Sequence, residues 1–438
     1  MNAPIPTSSY ENKPVELLNL IKLTRVGGIY LLFDFHPYLD DPVIVRHLKD
    51  VAQNYAEIPH TLVFISHELK IPQELENFCV RYELSLPDRA QLETIVRMEA
   101  QVWSKMNNNL RIVVEKKILN QLVESLLGLP LDDVRRLVRG AIRDDGVLTE
   151  SEVKEVMKAK FELLSQGGIL SFEYDTARYA DVGGLNKLKD WLTLRKASFT
   201  GELKKPGLDA PKGIMLLGVQ GCGKSLAAKA VAGAWGVPLL RLDFGSIYNK
   251  FFGESEKNLR ESLKTAEVMA PCILWVDEIE KGISTGDNDG GTSRRILGTL
   301  LTWMAEKDAK VFIVATANDI ESLPPELVRK GRLDEIFFVD LPDKDARAAI
   351  FKIHLEKRKL DTKQFDPGLL AGKSEGFSGS EIEQAVVSAL YSAHAKNENL
   401  NDSHLLAEIE KTRPLSVVMA ERIQYLRDWA RDRTVMAN

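Results

Sequence analysis

"GVQGCGKS", residues 218–225, places three glycines, a lysine and a hydroxyl at the spacing G-x-x-x-x-G-K-[ST]. A loop of this kind curls so that several backbone N–H groups face one point, and bulky side chains would obstruct the approach of a phosphate. Lys224 then reaches the terminal phosphates of a nucleoside triphosphate, and Ser225 offers a hydroxyl to Mg²⁺. The expected cradle comprises Gly218, Gly221, Cys222, Gly223, Lys224, Ser225 and Leu226. Upstream, "GIMLLG" (213–218) reads as a short buried strand. Downstream, "KSLAAKAVAGAW" (224–235) is Ala-rich and helix-forming, so a helix N-terminus directs its partial positive charge at the phosphates.

A phosphate cradle needs a partner carboxylate. "CILWVDEIEK" (272–281) supplies a continuous apolar run and then Asp277 and Glu278. Such a run reads as a parallel strand buried on both faces, and ligands bind at the carboxyl ends of these strands. Asp277 would hold Mg²⁺, directly or through water, and Glu278 would polarise the attacking water as general base. A third strand, "KVFIVATAND" (310–319), ends in Asn318, which could hold the lytic water or the γ-phosphate. Arg329 and Arg332 in "LVRKGRLDE" (327–335) flank a glycine just before another strand, "EIFFVDLP" (335–342). Guanidinium groups suit bidentate phosphate contact. Taken alone, the pair reads equally well as a solvated, salt-bridging couple.

The rest of the composition narrows the field. With 438 residues the chain is long enough for two or three domains, and 44% hydrophobic with 28% charged residues is ordinary for a globular protein. A formal net charge of -5 gives no broad basic field for nucleic acid. Cys79, Cys222 and Cys272 are too few and scattered for a disulfide or zinc framework, so a reducing cytosol is expected. No run reaches the 18 or so apolar residues of a membrane span. The start, "MNAPIPTSSYENKP", reads as a disordered lead-in without an apolar signal core.

With these motifs together, the chain resembles the AAA class of AAA+ ATPases over about 181–411. "DVGGL" (181–185), with Asp181 and Gly183, looks like the adenine-side motif of that class, and "KFFGESEKNLR" (250–260) looks like its first pore loop. The resemblance casts Asn318 as sensor 1, and Arg329 and Arg332 as arginine fingers. It puts His354 of "FKIHLEKR" (351–358) near the adenosine and Gly379 of "GFSGSEIEQAV" (376–386) at the start of the sensor-2 helix. More narrowly, "DFHPYLDDP" (34–42), "LKIPQELE" (69–76), "LPDRAQLETI" (86–95) and "VRKGRLDEIFFVDLP" (328–342) resemble the cyanobacterial and plastid AAA family first catalogued as a hypothetical chloroplast reading frame. That family is associated with regulation of photosynthesis and inorganic-carbon use. The resemblance implies ATP and Mg²⁺ as ligands, a homo-oligomeric ring, six-membered by expectation, and the cytoplasm, or the plastid stroma for a plastid-encoded chain. Cys222 replaces the usual threonine, and "ATAN" (315–318) reverses the usual order of small residues before sensor 1.

The first part of the chain echoes the second. "GIYLLFDFHPYL" (28–39) parallels "CILWVDEIEKGI" (272–283), and "HTLVFISHELKIPQELE" (60–76) parallels "AKVFIVATANDIESLPPELV" (309–328). In that alignment Asp34 stands at the acidic strand and Phe35 where the general base belongs. Without a cradle this part should not bind ATP. An unrelated α/β domain with similar strand punctuation is the other reading.

The expected fold is α/β: a P-loop AAA+ parallel sheet flanked by helices, with a helical lid, preceded by a degenerate AAA-like domain. The expected domains are 1–165, degenerate and without a P-loop; 166–342, the large α/β subdomain; and 343–438, the lid with a C-terminal helix. "LSQGGILSFEYDT" (164–176) reads as the linker, Asp343 as the N-cap of the first lid helix, and 417–433 as an amphipathic helix packing on the lid or a neighbour. Phe251 and Phe252 beside Gly253 suit gripping an extended polypeptide, or are core rings. Ser255 would cap the helix that follows, and "STGDNDGGTSRR" (284–295) would be the second pore loop. A thiol at Cys222, beside Lys224 and a helix N-terminus, could have a lowered pKa and be oxidisable, or be a buried, inert cysteine. Three functions follow: remodelling of a protein client, regulatory or assembly switching without threading, and action on nucleic acid, which the acidic balance disfavours.

Overall fold

The computed structural model describes residues 13–66, 69–82, 85–110, 112–143, 146–165, 169–201, 207–243, 254–282, 292–321, 323–329 and 331–438. They form two compact units, 1–85 and 86–438. The segment 1–165, read from the sequence as one domain, thus contributes its first 85 residues to one unit and the remainder to the other.

In the first unit, α1 (Pro14–Leu23), β1 (Gly28–Phe33), α2 (Pro42–Gln53) and β2 (His60–Ile65) follow in order. The strands pair in parallel from Gly28↔His60 to Phe33↔Ile65. Leu32, Phe35 and Leu39 pack with Ile44, Val45 and Leu48 of α2. Asp34 is left-handed, with φ 49°, and Glu278 at the end of its own strand has φ 48°. A 3-10 turn follows each, His36–Tyr38 and Ile279–Gly282. By backbone conformation, therefore, Asp34 matches Glu278 rather than Asp277. Phe35, 5% exposed, matches the buried Ile279, and Phe33 falls in the place of Asp277. Set residue against residue, the two quoted stretches already place Asp34 opposite Glu278; the roles read for Asp34 and Phe35 were one residue out, because a left-handed turn is not visible in a string of side chains.

The second unit begins with a helical segment: α3 (Arg89–Met106), the short β3 (Val113–Val114), α4 (Lys116–Leu126), α5 (Leu131–Ile142), the short β4 (Val147–Leu148) and α6 (Glu150–Leu164). Capping boxes at Asp88/Gln91 and Thr149/Glu152 start α3 and α6. Leu92, Val96, Leu122, Leu126, Val134 and Val138 form its core.

Next come β5 (Leu170–Glu173), α7 (Asn186–Thr200), β6 (Gly213–Gly218), α8 (Lys224–Trp235), β7 (Leu239–Leu242), α9 (Glu254–Val268), β8 (Cys272–Val276), α10 (Thr292–Glu306), β9 (Val311–Ala317), the one-turn α11 (Pro325–Val328) and β10 (Glu335–Val339). With β11 (Val435–Met436) the strands form a seven-stranded sheet in the order β11-β10-β6-β9-β8-β7-β5, parallel except for β5. The expected linker is therefore corrected: Leu170–Glu173 is an edge strand, antiparallel to β7, with Ile169 and Leu170 buried. The sheet explains the apolar runs. Met215, Leu217, Leu274, Val276, Ile313 and Ala315 face one layer of helices, while Ile214, Leu216, Ile273, Trp275, Phe312 and Val314 face the other. Alternate residues of one strand thus feed two cores, which is why these runs are apolar on both faces.

The helices in the segment expected to form the lid are α12 (Lys344–Lys357), α13 (Pro367–Lys373), α14 (Gly379–Ala395) and α15 (Asp402–Lys411), followed by the one-turn α16 (Leu415–Val418) and α17 (Ala420–Ala430). Asp343 caps α12 by accepting from the Ala346 N–H at 2.8 Å. Ser255 lies inside α9 rather than before it, because the helix already begins at Glu254. Within the chain, the amphipathic C-terminal helix packs on the sheet rather than on the lid helices. Leu426 and Ala430 of α17 enter the core of the large subdomain, and Arg427 grips Asp340 with Nε–Oδ2 at 2.8 Å and Nη2–Oδ1 at 3.0 Å.

Candidate nucleotide site

The cradle connects the buried end of β6 to the first turn of α8. Gly221 has φ 77°, a conformation that costs a side-chain-bearing residue, and a Cβ there would crowd Ser378 Oγ and Ser380 Oγ at 3.2 and 3.1 Å. The Ser380 N–H donates to Gly221 O at 3.1 Å, so the start of α14, including Gly379, sits directly on the loop. Lys224 is buried and donates to Gly218 O and Val219 O, both at 2.8 Å. Burial lowers its ammonium to about 8. Leu226 is part-exposed on the first turn of α8. The Cys222 thiol is pushed up to about 12, because burial outweighs the nearby Lys224 charge. Of the two readings of this position, burial favours the inert thiol.

Across the cradle, β8 and β9 deliver the polar cluster. Ser225 Oγ donates to Asp277 Oδ1 at 3.3 Å. Glu278 Oε1 accepts from Asn318 Nδ2 at 3.1 Å, and its Oε2 pairs with the Lys281 ammonium. A hydroxyl and a carboxylate this close are hard oxygen donors that fit Mg²⁺. The structure therefore brings together Lys224, Ser225, Asp277, Glu278 and Asn318.

Three further residues belong to the cluster that spacing alone did not single out. Thr316 Oγ1 donates to Asp277 Oδ1 at 2.7 Å and accepts from the Glu278 N–H at 2.9 Å. Arg241 on β7 pairs with Asp277 Oδ2 at 3.2 Å and lies over the Trp275 ring. Glu280 accepts from the Asn318 N–H at 2.9 Å, while its Oε2 is buried without a partner. Burial raises the Glu280 carboxyl above the usual range. The one signal was the second glutamate in "DEIE"; Thr316 and Arg241 look like ordinary strand residues.

The other expected site residues are dispersed around this centre. Asp181 is turned onto the Arg178 N–H at 2.6 Å, and Gly183 lies against Ile350 and the Ala346 carbonyl of α12. His354 on the same helix faces Glu383, Nδ1–Oε1 3.5 Å, and burial lowers its pKa. Arg329 is exposed. Arg332 is half-buried and donates to Glu326 O. Phe251, Phe252 and Gly253, with most of 284–295, lie outside the described residues.

This geometry coincides with a match of residues 214–341 to the ATPase family associated with various cellular activities (AAA). The AAA domain-containing protein ycf46 of Guillardia theta is 38% identical over 405 residues, 92% of this chain and 79% of that protein. The chain belongs to the AAA family of ATPases. Its first unit matches the N-terminal domain of SpoVK-like AAA ATPases over 3–84, and 90–167 matches their second domain. The ycf46 protein of Trieres chinensis is 36% identical over 98% of this chain and 86% of its own length. The proteasome-activating nucleotidase of Sulfurisphaera tokodaii is 32% identical over 68% of this chain and 83% of its own length. As an AAA ATPase, the chain carries its glycine loop, Asp277, Glu278 and Asn318 at the carboxyl ends of the adjacent central strands β6, β8 and β9, where charge developing on a phosphate can be met.

Proposed function

We propose that this AAA ATPase works as a ring of six copies that hydrolyses ATP at each cradle and remodels a protein client through a central pore. The observation that carries this reading is the placement of Arg329: it is exposed, with no hydrogen bond or ion pair among the described residues, directly after α11. A guanidinium so placed is free to enter the site of an adjoining copy, and Arg332 follows three residues on. Ser225 and Asp277 would hold Mg²⁺, which would neutralise charge on the phosphate oxygens. Glu278, oriented by Asn318, takes a proton from the attacking water, and Lys224 meets the charge on the terminal phosphates. The likeness to a proteasome-activating nucleotidase supports a protein client. No helix among the described residues is long and apolar enough to cross a membrane, and we place the ring in the cytoplasm, or in the plastid stroma for a plastid-encoded chain.

Arg332→Ala subunits and Glu278→Gln subunits are each expected to turn over ATP at a small fraction of the wild-type rate, since an arginine supplied in trans contributes on the order of 10³–10⁵. Mixing the two should restore part of the rate, because mixed interfaces pair an intact base with an intact arginine. Wild-type turnover by Arg332→Ala alone would end the reading. Stimulation of turnover by unfolded protein supports the client. Stimulation only by a specific partner complex would favour the alternative, a regulatory or assembly ATPase in carbon-uptake or photosynthesis regulation that does not thread.

A further inference from the structure

The adenine-side motif, Asp181–Leu185, is held from a second direction by residues far away in sequence. β11 adds to the sheet beside β10, with Val435 opposite Phe337 and Met436 opposite Phe338. Ala437 is buried. Its N–H donates to Phe338 O at 2.9 Å, and its carbonyl accepts from the Leu188 N–H at 3.1 Å. One residue on, Asn438 Oδ1 accepts the backbone N–H of Leu185.

Leu185 is the N-cap residue of α7 and is left-handed, φ 56°, with no side-chain acceptor of its own. Donors at a helix start lack intrahelical partners, so the Asn438 amide oxygen fills a need that the local sequence leaves open. The same oxygen closes on Gly184, where an added Cβ would lie 2.9 Å from Asn438 Oδ1 and 2.9 Å from the Ala346 Cβ of α12. Gly183 already lies against that helix. The motif is therefore clasped between the first lid helix and residues 435–438, and the Arg427–Asp340 pair fastens the preceding α17 to the same strand edge.

We propose that Asn438 is a positioning residue for the nucleotide: by fixing the Gly184–Leu185 backbone against α12, it slows nucleotide release without touching the reacting groups. This rests on the reading of the cradle as an ATP site and of Asp181–Leu185 as its adenine side. Removing the amide leaves the Leu185 N–H without its partner and gives Gly184 room to move.

The test is the dissociation rate of a fluorescent ATP analogue from the full chain, measured beside steady-state turnover. Asn438→Ala is expected to release the analogue about fivefold faster, the effect of one lost hydrogen bond, and to raise KM by a similar factor. Its kcat should stay within about twofold of wild type, the signature of lost ground-state binding. Asn438→Asp keeps an acceptor oxygen and should restore wild-type release. Unchanged release in Asn438→Ala overturns the proposal, as do equally fast release by both variants and a kcat loss that tracks the affinity loss. Failure of the wild-type chain to bind the analogue would instead overturn the ATP reading, and the positioning role with it.

Discussion

Thr316 Oγ1 touches both members of the acidic pair, as donor to Asp277 and acceptor from the Glu278 backbone. It is the hub that keeps Glu278 in its left-handed turn while Asp277 faces Ser225. Thr316→Val preserves shape and removes the hydroxyl. Its kcat is expected to fall by about 10- to 100-fold, equal to about 1.4–2.7 kcal/mol of barrier, with affinity for a non-hydrolysable ATP analogue unchanged. Steady-state turnover beside equilibrium binding checks this, and an unaltered kcat removes Thr316 from the machinery. Lys224, Ser225, Asp277, Glu278 and Asn318 were legible because each sits at a fixed offset from a glycine turn or a strand end. Thr316 was not, since in the sequence it is one more small residue in an apolar strand. Cys222 teaches the complementary lesson: the charges near its thiol are readable from the chain, whereas the burial that overrides them is not.

At the scale of elements, the central strands β6, β8 and β9 were readable as unbroken apolar runs, because burial on both faces imposes that pattern. β5 was hidden, because its serine- and glycine-rich flank looks like a linker and only pairing with β7 gives it strand character. The destination of α17 was equally hidden; an amphipathic face says that a helix packs, not on what. The junction between α6 and α9 is a third example. Lys160 is 1% exposed and donates to Leu127 O and Val268 O, both at 2.6 Å, bridging the C-terminal ends of α4 and α9. Burial pushes its ammonium from the usual 10.5 down to about 8. The unfolded chain thus keeps this proton to higher pH than the folded chain. The charge costs folded-state stability below about 8, and that cost is relieved as pH rises towards 10.5. Denaturant midpoints near pH 7.5 and pH 9.5 should therefore show wild type gaining roughly 1–2 kcal/mol relative to Lys160→Gln. A gap that is flat, or that shrinks with pH, would mean that Lys160 titrates normally.

At the scale of the whole molecule, the cradle and its carboxylates lie within 86–438, and the core of the first unit closes on its own residues. A chain beginning at Leu86 is expected to keep nucleotide affinity and basal turnover within about twofold of the full chain. It should lose stimulation by unfolded protein if the first unit recruits the client; a collapse of nucleotide affinity would show instead that the first unit supports the site. The matched conformation of Asp34 and Glu278, each a left-handed acid after a parallel strand, supports a first unit derived from the same strand–turn plan. By itself the sequence determined the P-loop sheet, the family and the five polar groups at the centre of the site, because these follow from short-range spacing and from apolar runs that burial demands. Only the tertiary structure decided that Thr316 and Arg241 hold Asp277, that Lys160 caps a distant helix and that Asn438 completes the start of α7. Each of those contacts joins residues far apart in the chain, and it is packing, which no local pattern encodes, that brings them within hydrogen-bonding distance.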